Sequence, residues 1–190
     1  MSAASKPLSE GRLMALPLDP QQVRKVRLVL QMAKKLQRDI GILQRYRADQ
    51  PPKAFFDFCR IRNHHNEIQG LVFVIRDKMA EISDLLPAGM DTWLMTAKLR
   101  AISIFVEISL EFVRNPPLTL TGSLTARDVL DNEMRNFSEA RTFFNNMLME
   151  QAVDDKLSDQ LDRTLGMIDE TIGIIEGLLA KSRNYLEEFV

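Results

Sequence analysis

Residues 53–86 carry apolar side chains at spacings that alternate between three and four: Phe58, Ile61, His65, Ile68, Val72, Ile75, Met79, Ile82 and Leu86. That rhythm keeps one stripe of a helix facing a core, and a strand, whose side chains alternate faces, cannot use it. At 1.5 Å per residue the segment spans about 50 Å. No stretch of the chain alternates apolar and polar residues convincingly, so this seam sets the fold class: all-α, an elongated antiparallel bundle of about five long amphipathic helices with coiled-coil-like packing.

The other helices follow from their own seams and stop signals. Asp19-Pro20-Gln21-Gln22 reads as a capping box with proline in the first turn. The stripe Val26, Val29, Met32, Leu36, Ile40, Leu43 then runs to Pro51-Pro52, which excludes helical geometry just before itself. Leu86-Pro87-Ala88-Gly89-Met90 closes the second helix, and Asp91 is the expected cap of a third that ends near Arg114. This third helix is apolar on most sides apart from Ser103, Glu107, Glu111 and Arg114, which places it at the centre of the fold. Residues 115–124 (NPPLTLTGSL) form the one long connection, and Thr125-Ala126-Arg127-Asp128 reads as the start of helix four, with seam Leu130, Met134, Phe137, Ala140, Phe144, Met147. A break in phase predicts a tight turn near Val153-Asp154-Asp155. Helix five then carries Leu161, Leu165, Ile168, Ile172, Ile175, Leu179, Ser182, Leu186 and Phe189. Residues 1–18 are expected to be a flexible tail, with Leu13, Met14, Leu16 and Leu18 able to dock on a groove, and residues 19–190 a single domain.

Composition narrows the function classes. A single cysteine among 190 residues rules out an internal disulfide framework and favours a reducing, cytoplasmic setting. The opening MSAASKPLSEGRLMALPL lacks the basic start and unbroken apolar core of a secretory signal. The longest nearly apolar run, residues 101–113 (AISIFVEISLEFV), contains two glutamates and falls short of the roughly 20 residues a membrane span needs.

The net charge of −1 conceals a division along the chain. Residues 20–62 hold 11 Lys/Arg against 3 Asp/Glu, whereas residues 126–190 hold 7 against 14. Arg24, Arg27, Lys34, Arg38 and Arg45 fall on one stripe of helix one. Asp155, Asp159, Asp162, Asp169 and Glu176 form an acidic stripe on helix five, with Gly166 and Gly173 at the intervening positions. The stripes read as solvated outer faces, as surfaces that pair within a chain or between subunits, or, for the basic one, as a contact for nucleic acid. The near-neutral total and the lack of a recognition motif place nucleic acid last. Three glycines lie inside one helix (Gly166, Gly173, Gly177), each costing about 1 kcal/mol relative to alanine; they read either as ordinary tolerance or, at Gly173 to Gly177, as room for close approach of another backbone.

Chemistry-bearing residues concentrate in RIRNHHNEIQG, residues 60–70, just after Cys59. Adjacent histidines on a helix point about 100° apart and cannot share a metal ion. No Glu-x-x-His pair, glycine-rich phosphate loop or Gly-x-Ser-x-Gly motif occurs, so we expect neither a metal centre, a cofactor nor an enzyme. Arg60 and Arg62 are expected to lower the Cys59 thiol pKa. His65 lies on the helix-two seam and should be buried and bonded to a neighbour, while His64 lies at its edge. The order His64, Gln69, Leu71 resembles the phosphoacceptor helix of histidine-kinase dimerisation domains, although His65 stands where that family has an acidic residue. The resemblance implies a phosphotransfer bundle with His64 as acceptor, as an alternative to the leading expectation. That expectation is a non-enzymatic interaction or regulatory protein presenting helix faces, or the loop at Pro116-Pro117, to a protein partner or to a second copy.

Overall fold

The computed structural model describes residues 19–49, 51–117, 120, 124–150 and 155–187. Five α-helices follow one another: α1 (Pro20–Asp49), α2 (Phe55–Ala80), α3 (Met90–Arg114), α4 (Leu124–Glu150) and α5 (Asp155–Glu187), with a short 3-10 turn at Ser83–Leu85. No strand occurs among the described residues, and none of these helices is long and apolar enough to cross a membrane. The expected tail 1–18 and the turn at Val153-Asp154 lie outside the described residues.

Helix boundaries show which local signals acted. At the start of α1 the Asp19 N–H donates to Gln22 Oε1 (3.2 Å) and the Gln21 N–H to Asp19 Oδ1 (3.3 Å), so both capping residues act as expected. Helix α2 stops at Ala80 rather than near Leu86, which shortens it to about 39 Å. Pro87 holds Leu86 extended (ψ 147), Ser83 and Asp84 are poor helix formers, and the chain tightens into the 3-10 turn. Ile82 stays buried all the same, so the seam outlasts the helix. Asp91 is not the cap of α3. Gly89 is, at φ 90, and Asp91 sits in the first turn, where a carboxylate still suits the helix N-terminus. Thr125 likewise falls inside α4.

The direction of each helix can be read from its contacts. His64 on α2 meets Asp39 on α1, and Lys25 near the start of α1 pairs with Glu81 just beyond the end of α2, so the two run antiparallel. Phe58 stacks on Phe112 (centroids 4.4 Å apart) and His65 on Phe105 (4.2 Å), which sets α2 antiparallel to α3. Ser103 meets Thr164, and Arg114 meets Glu170, so α3 and α5 run parallel. Helix α3 packs against α1, α2 and α5, and residues 101–106 are all buried, which makes it the central helix. Buried residues of all five helices form one hydrophobic cluster.

The expected polar strip of α3 is an outer face only at its end, where Glu111 and Arg114 are exposed. Ser103 is buried and Glu107 is half-buried against Arg47 of α1 (2.7 Å). The Thr164 hydroxyl donates to the Gln160 carbonyl (2.8 Å) in its own helix, so Ser103 must be the donor in the 3.0 Å Ser103–Thr164 bond. Three seams shift by one residue. Ala33 replaces Met32 in the core, Glu133 replaces Met134, and α5 buries Thr164 and Thr171 beside Leu161, Ile168 and Ile175.

Candidate functional site

Residues 60–70 fall in the first half of α2, and their side chains divide between two sides of that helix. His65 turns to the core: it stacks on Phe105 at 7°, and the Gln69 amide lies 3.0 Å from its Nε2. An amide N–H2 is only a donor, so His65 Nε2 accepts and the ring proton belongs on Nδ1. Burial, with a smaller contribution from His64, pushes the His65 pKa down to about 3. His64 turns toward α1, where its Nε2–H donates to the Asp39 carbonyl (3.0 Å) and its ring meets Tyr46 edge-on. Its Nδ1 lies 3.8 Å from Glu67 Oε2, and the side chain is 18% exposed. A phosphoryl group arriving at Nε2 would have to displace the main-chain bond.

His64 and Cys59 line one recess between α1 and α2, of about 380 Å³, with Tyr46, Phe56 and Glu67. The arginines do not activate the thiol. Burial pushes the Cys59 pKa up and Glu133 adds to the effect, while Arg62 offsets them only in part. The reason is that both guanidiniums are engaged: Arg60 lies over the Tyr46 ring (5.6 Å) and near Asp57 (3.8 Å), and Arg62 is committed to Glu133. Cys59 is accordingly expected to alkylate more slowly with iodoacetamide at pH 7.5 than glutathione does. A faster rate would contradict this assignment.

The pairing of Arg62 with Glu133 was not anticipated from the sequence, and it forms the most consequential polar contact of the fold. It joins α2 to α4 across 71 positions of sequence. Glu133 is 1% exposed and Arg62 19%. Glu133 Oε1 accepts from Arg62 Nε and from Asn136 Nδ2 (3.2 Å), whereas Glu133 Oε2 is buried with no partner among the described residues. Burial pushes the carboxyl up from its ordinary range, and Arg62 and Asn136 pull it back only partly. A signal was available: Leu130, Glu133, Phe137, Ala140, Phe144 and Met147 keep a strict three-four spacing, which a rule that skips charged residues passes over.

A second buried carboxylate, Asp39 on α1, behaves differently. Burial raises its pKa, yet hydrogen bonds and charge from Lys35 and Arg38 outweigh that and hold it below the usual range. Among the described residues no three His, Cys, Asp or Glu side chains cluster in a way that could hold a metal ion.

The charged stripes are placed on outer faces. Arg24, Arg27, Lys34, Arg38 and Arg45 are exposed along α1, beside the exposed apolar residues Val23 and Leu28. Arg38 pairs with Asp39 (3.3 Å), while Arg24, Arg27 and Arg45 carry no ion pair among the described residues. On α5, Asp155 lies in the first turn, and Asp159, Asp162, Asp169 and Glu176 are exposed. Of these, Asp169 pairs with Arg141 of α4 (3.2 Å). Helix α1 packs mainly on α2 and α3, and α5 on α3 and α4. Among the described residues nothing approaches the α5 glycines closely: a Cβ at Gly166, Gly173 or Gly177 would meet no atom within 4 Å. Pro116 and Pro117 are half-buried at the end of α3. Compared with protein-family models, curated proteins and solved structures, the chain matches none of them.

Proposed function

We propose that this chain is a non-enzymatic helical interaction protein that docks a protein partner through the outer faces of α1 and α5. The observation that carries the reading is the open face of α5. Asp162, Gly166, Asp169, Gly173 and Glu176 form one exposed row, and among the described residues none fills the space over its glycines. Helix-interior glycines on a solvated face sacrifice about 1 kcal/mol each, and a flat row lets another helix approach closely in return. The exposed arginines of α1 supply the opposite charge, with Val23 and Leu28 as apolar contacts beside them. Two complementary rows on one chain make a second copy the first partner to test, because a two-fold axis can set each α1 against the α5 of its neighbour.

Light scattering across concentration and salt tests this. The parent chain is expected to associate at low ionic strength. Arg24→Glu with Arg27→Glu and Arg45→Glu should weaken association by at least about tenfold, and Asp162→Lys with Asp169→Lys and Glu176→Lys should restore it in combination. Gly173→Ala with Gly177→Ala should raise urea stability by about 1–2 kcal/mol while impairing association. A chain that stays monomeric under all conditions and captures no partner through either face sinks the proposal.

A further inference from the structure

Helices α2 and α4 diverge over the floor made by α3 and leave a cavity of about 410 Å³. A second space of about 320 Å³ adjoins it, and Gln69, Lys98 and Phe143 line both. The inner cavity has aromatic walls, Phe105, Phe137 and Phe143, and its polar lining, which includes Asn66 and Glu139, holds two charged groups set in from the surface. One is Glu133. Its Oε1 is saturated by Arg62 and Asn136, while Oε2 is fully buried and receives no donor among the described residues. The other is Lys98, half-buried, whose Nζ lies 3.7 Å from the Phe143 ring centroid and makes no ion pair among the described residues.

The surroundings of Lys98 hold a second cation, Arg76, beside the acids Glu133 and Glu139 of the inner lining and Asp91 of the outer one. Burial lowers its pKa, and the positive charge of Arg76 lowers it further. Arg76 itself lies over Phe73 (5.4 Å) at the outer space and has no ion pair among the described residues. An arriving carboxylate would relieve the repulsion between two cations, while a donor delivered to Glu133 Oε2 would satisfy a buried acceptor. A carboxylate oxygen buried without a partner is costly, so an occupant that is purely apolar leaves that penalty in place. The volume falls within the range of small-molecule sites, about 300–1,000 Å³.

We infer that the α2–α3–α4 cavity binds a small aromatic carboxylate bearing a hydroxyl or N–H donor: the anion at Lys98, the ring between Phe137 and Phe143, and the donor on Glu133 Oε2. This site is independent of the docking reading, because it uses neither the α1 row nor the α5 row. Positioned this way, the donor forms a charge-assisted hydrogen bond with a carboxylate that Arg62 keeps fixed.

A matched trio of probes tests the site on the full chain, by calorimetry and by shifts of backbone amide resonances. 3-(4-Hydroxyphenyl)propionate carries both groups, 3-phenylpropionate lacks the donor, and 4-ethylphenol lacks the anion. The first is expected to bind, and each of the others at least about tenfold more weakly. In Lys98→Met the advantage of 3-(4-hydroxyphenyl)propionate over 4-ethylphenol should vanish while its advantage over 3-phenylpropionate persists. Glu133→Gln should show the reverse. Should Glu133→Gln fail to fold, the half-exposed Lys98→Met decides alone. Equal affinity for all three probes, unchanged preferences in Lys98→Met, or no binding of any probe overturns the inference, the last leaving a cavity that holds water only.

Discussion

Arg62→Ala is expected to destabilise the chain by about 3–5 kcal/mol in urea unfolding at pH 7, among the largest effects of any surface-reaching residue. The cost comes from what is left behind. Glu133 is 1% exposed, and without Arg62 its carboxylate would be buried with Asn136 as its remaining donor. The reverse deletion should cost less, because Arg62 is 19% exposed and its guanidinium can turn to water. Replacing both, Arg62→Met with Glu133→Met, should recover most of the loss, since apolar groups of similar volume often substitute for a buried ion pair without penalty. The Arg62→Ala deficit should also shrink in acid. Burial already pushes the Glu133 carboxyl up, removal of Arg62 pushes it further, and a protonated carboxyl is cheaper to bury. Additive single and double variants would show that the two side chains do not interact.

The second large effect belongs to His65. Its pKa is about 3 in the folded chain against an ordinary 6.5, so the unfolded chain binds the proton that the folded chain refuses. Stability from this group is therefore full above pH 6.5 and lost as pH falls toward 3, by as much as about 4 kcal/mol over the interval. In His65→Phe, which keeps a ring against Phe105, that loss should be absent, and the difference between variant and parent should change with a slope near one proton below pH 6. Two other groups shape the parent curve. Asp39, held low, loses its share only below the ordinary carboxylate range. Glu133, pushed up, acts in the opposite sense, its share being lost as pH rises. Neither changes in the comparison, so parallel unfolding curves for parent and His65→Phe between pH 7 and 4.5 would refute the assignment.

These two sites mark how far the sequence could be read. Periodicity located all five helices and the α2 seam, and it placed His65 in the core, because those features depend on residues a few positions apart. It also separated the two imidazoles correctly, since a helical turn of about 100° is local geometry. Periodicity alone left Arg62 and Glu133 unjoined, because their meeting depends on how α4 lies over α2 and no local pattern records that. The same reason explains Cys59. Two flanking arginines promise an acidified thiol only while their charges are uncommitted, and Glu133 and Tyr46 claim them in three dimensions. Boundary errors were of another kind. Ile82 and Leu86 kept their place in the spacing after the hydrogen-bond pattern had changed, so the seam overstated the length of α2.

The unbroken burial of residues 101–106 has a consequence for how the protein comes apart. Over this stretch α3 is walled on every side and offers no outer face along which to peel. Neither the α1–α2 pair nor the α4–α5 pair can detach without stripping apolar surface from α3, so each half sustains the other through a shared spine. Unfolding is thus tied into one cooperative event, and backbone amides along this stretch of α3 should open to solvent only when the whole bundle does.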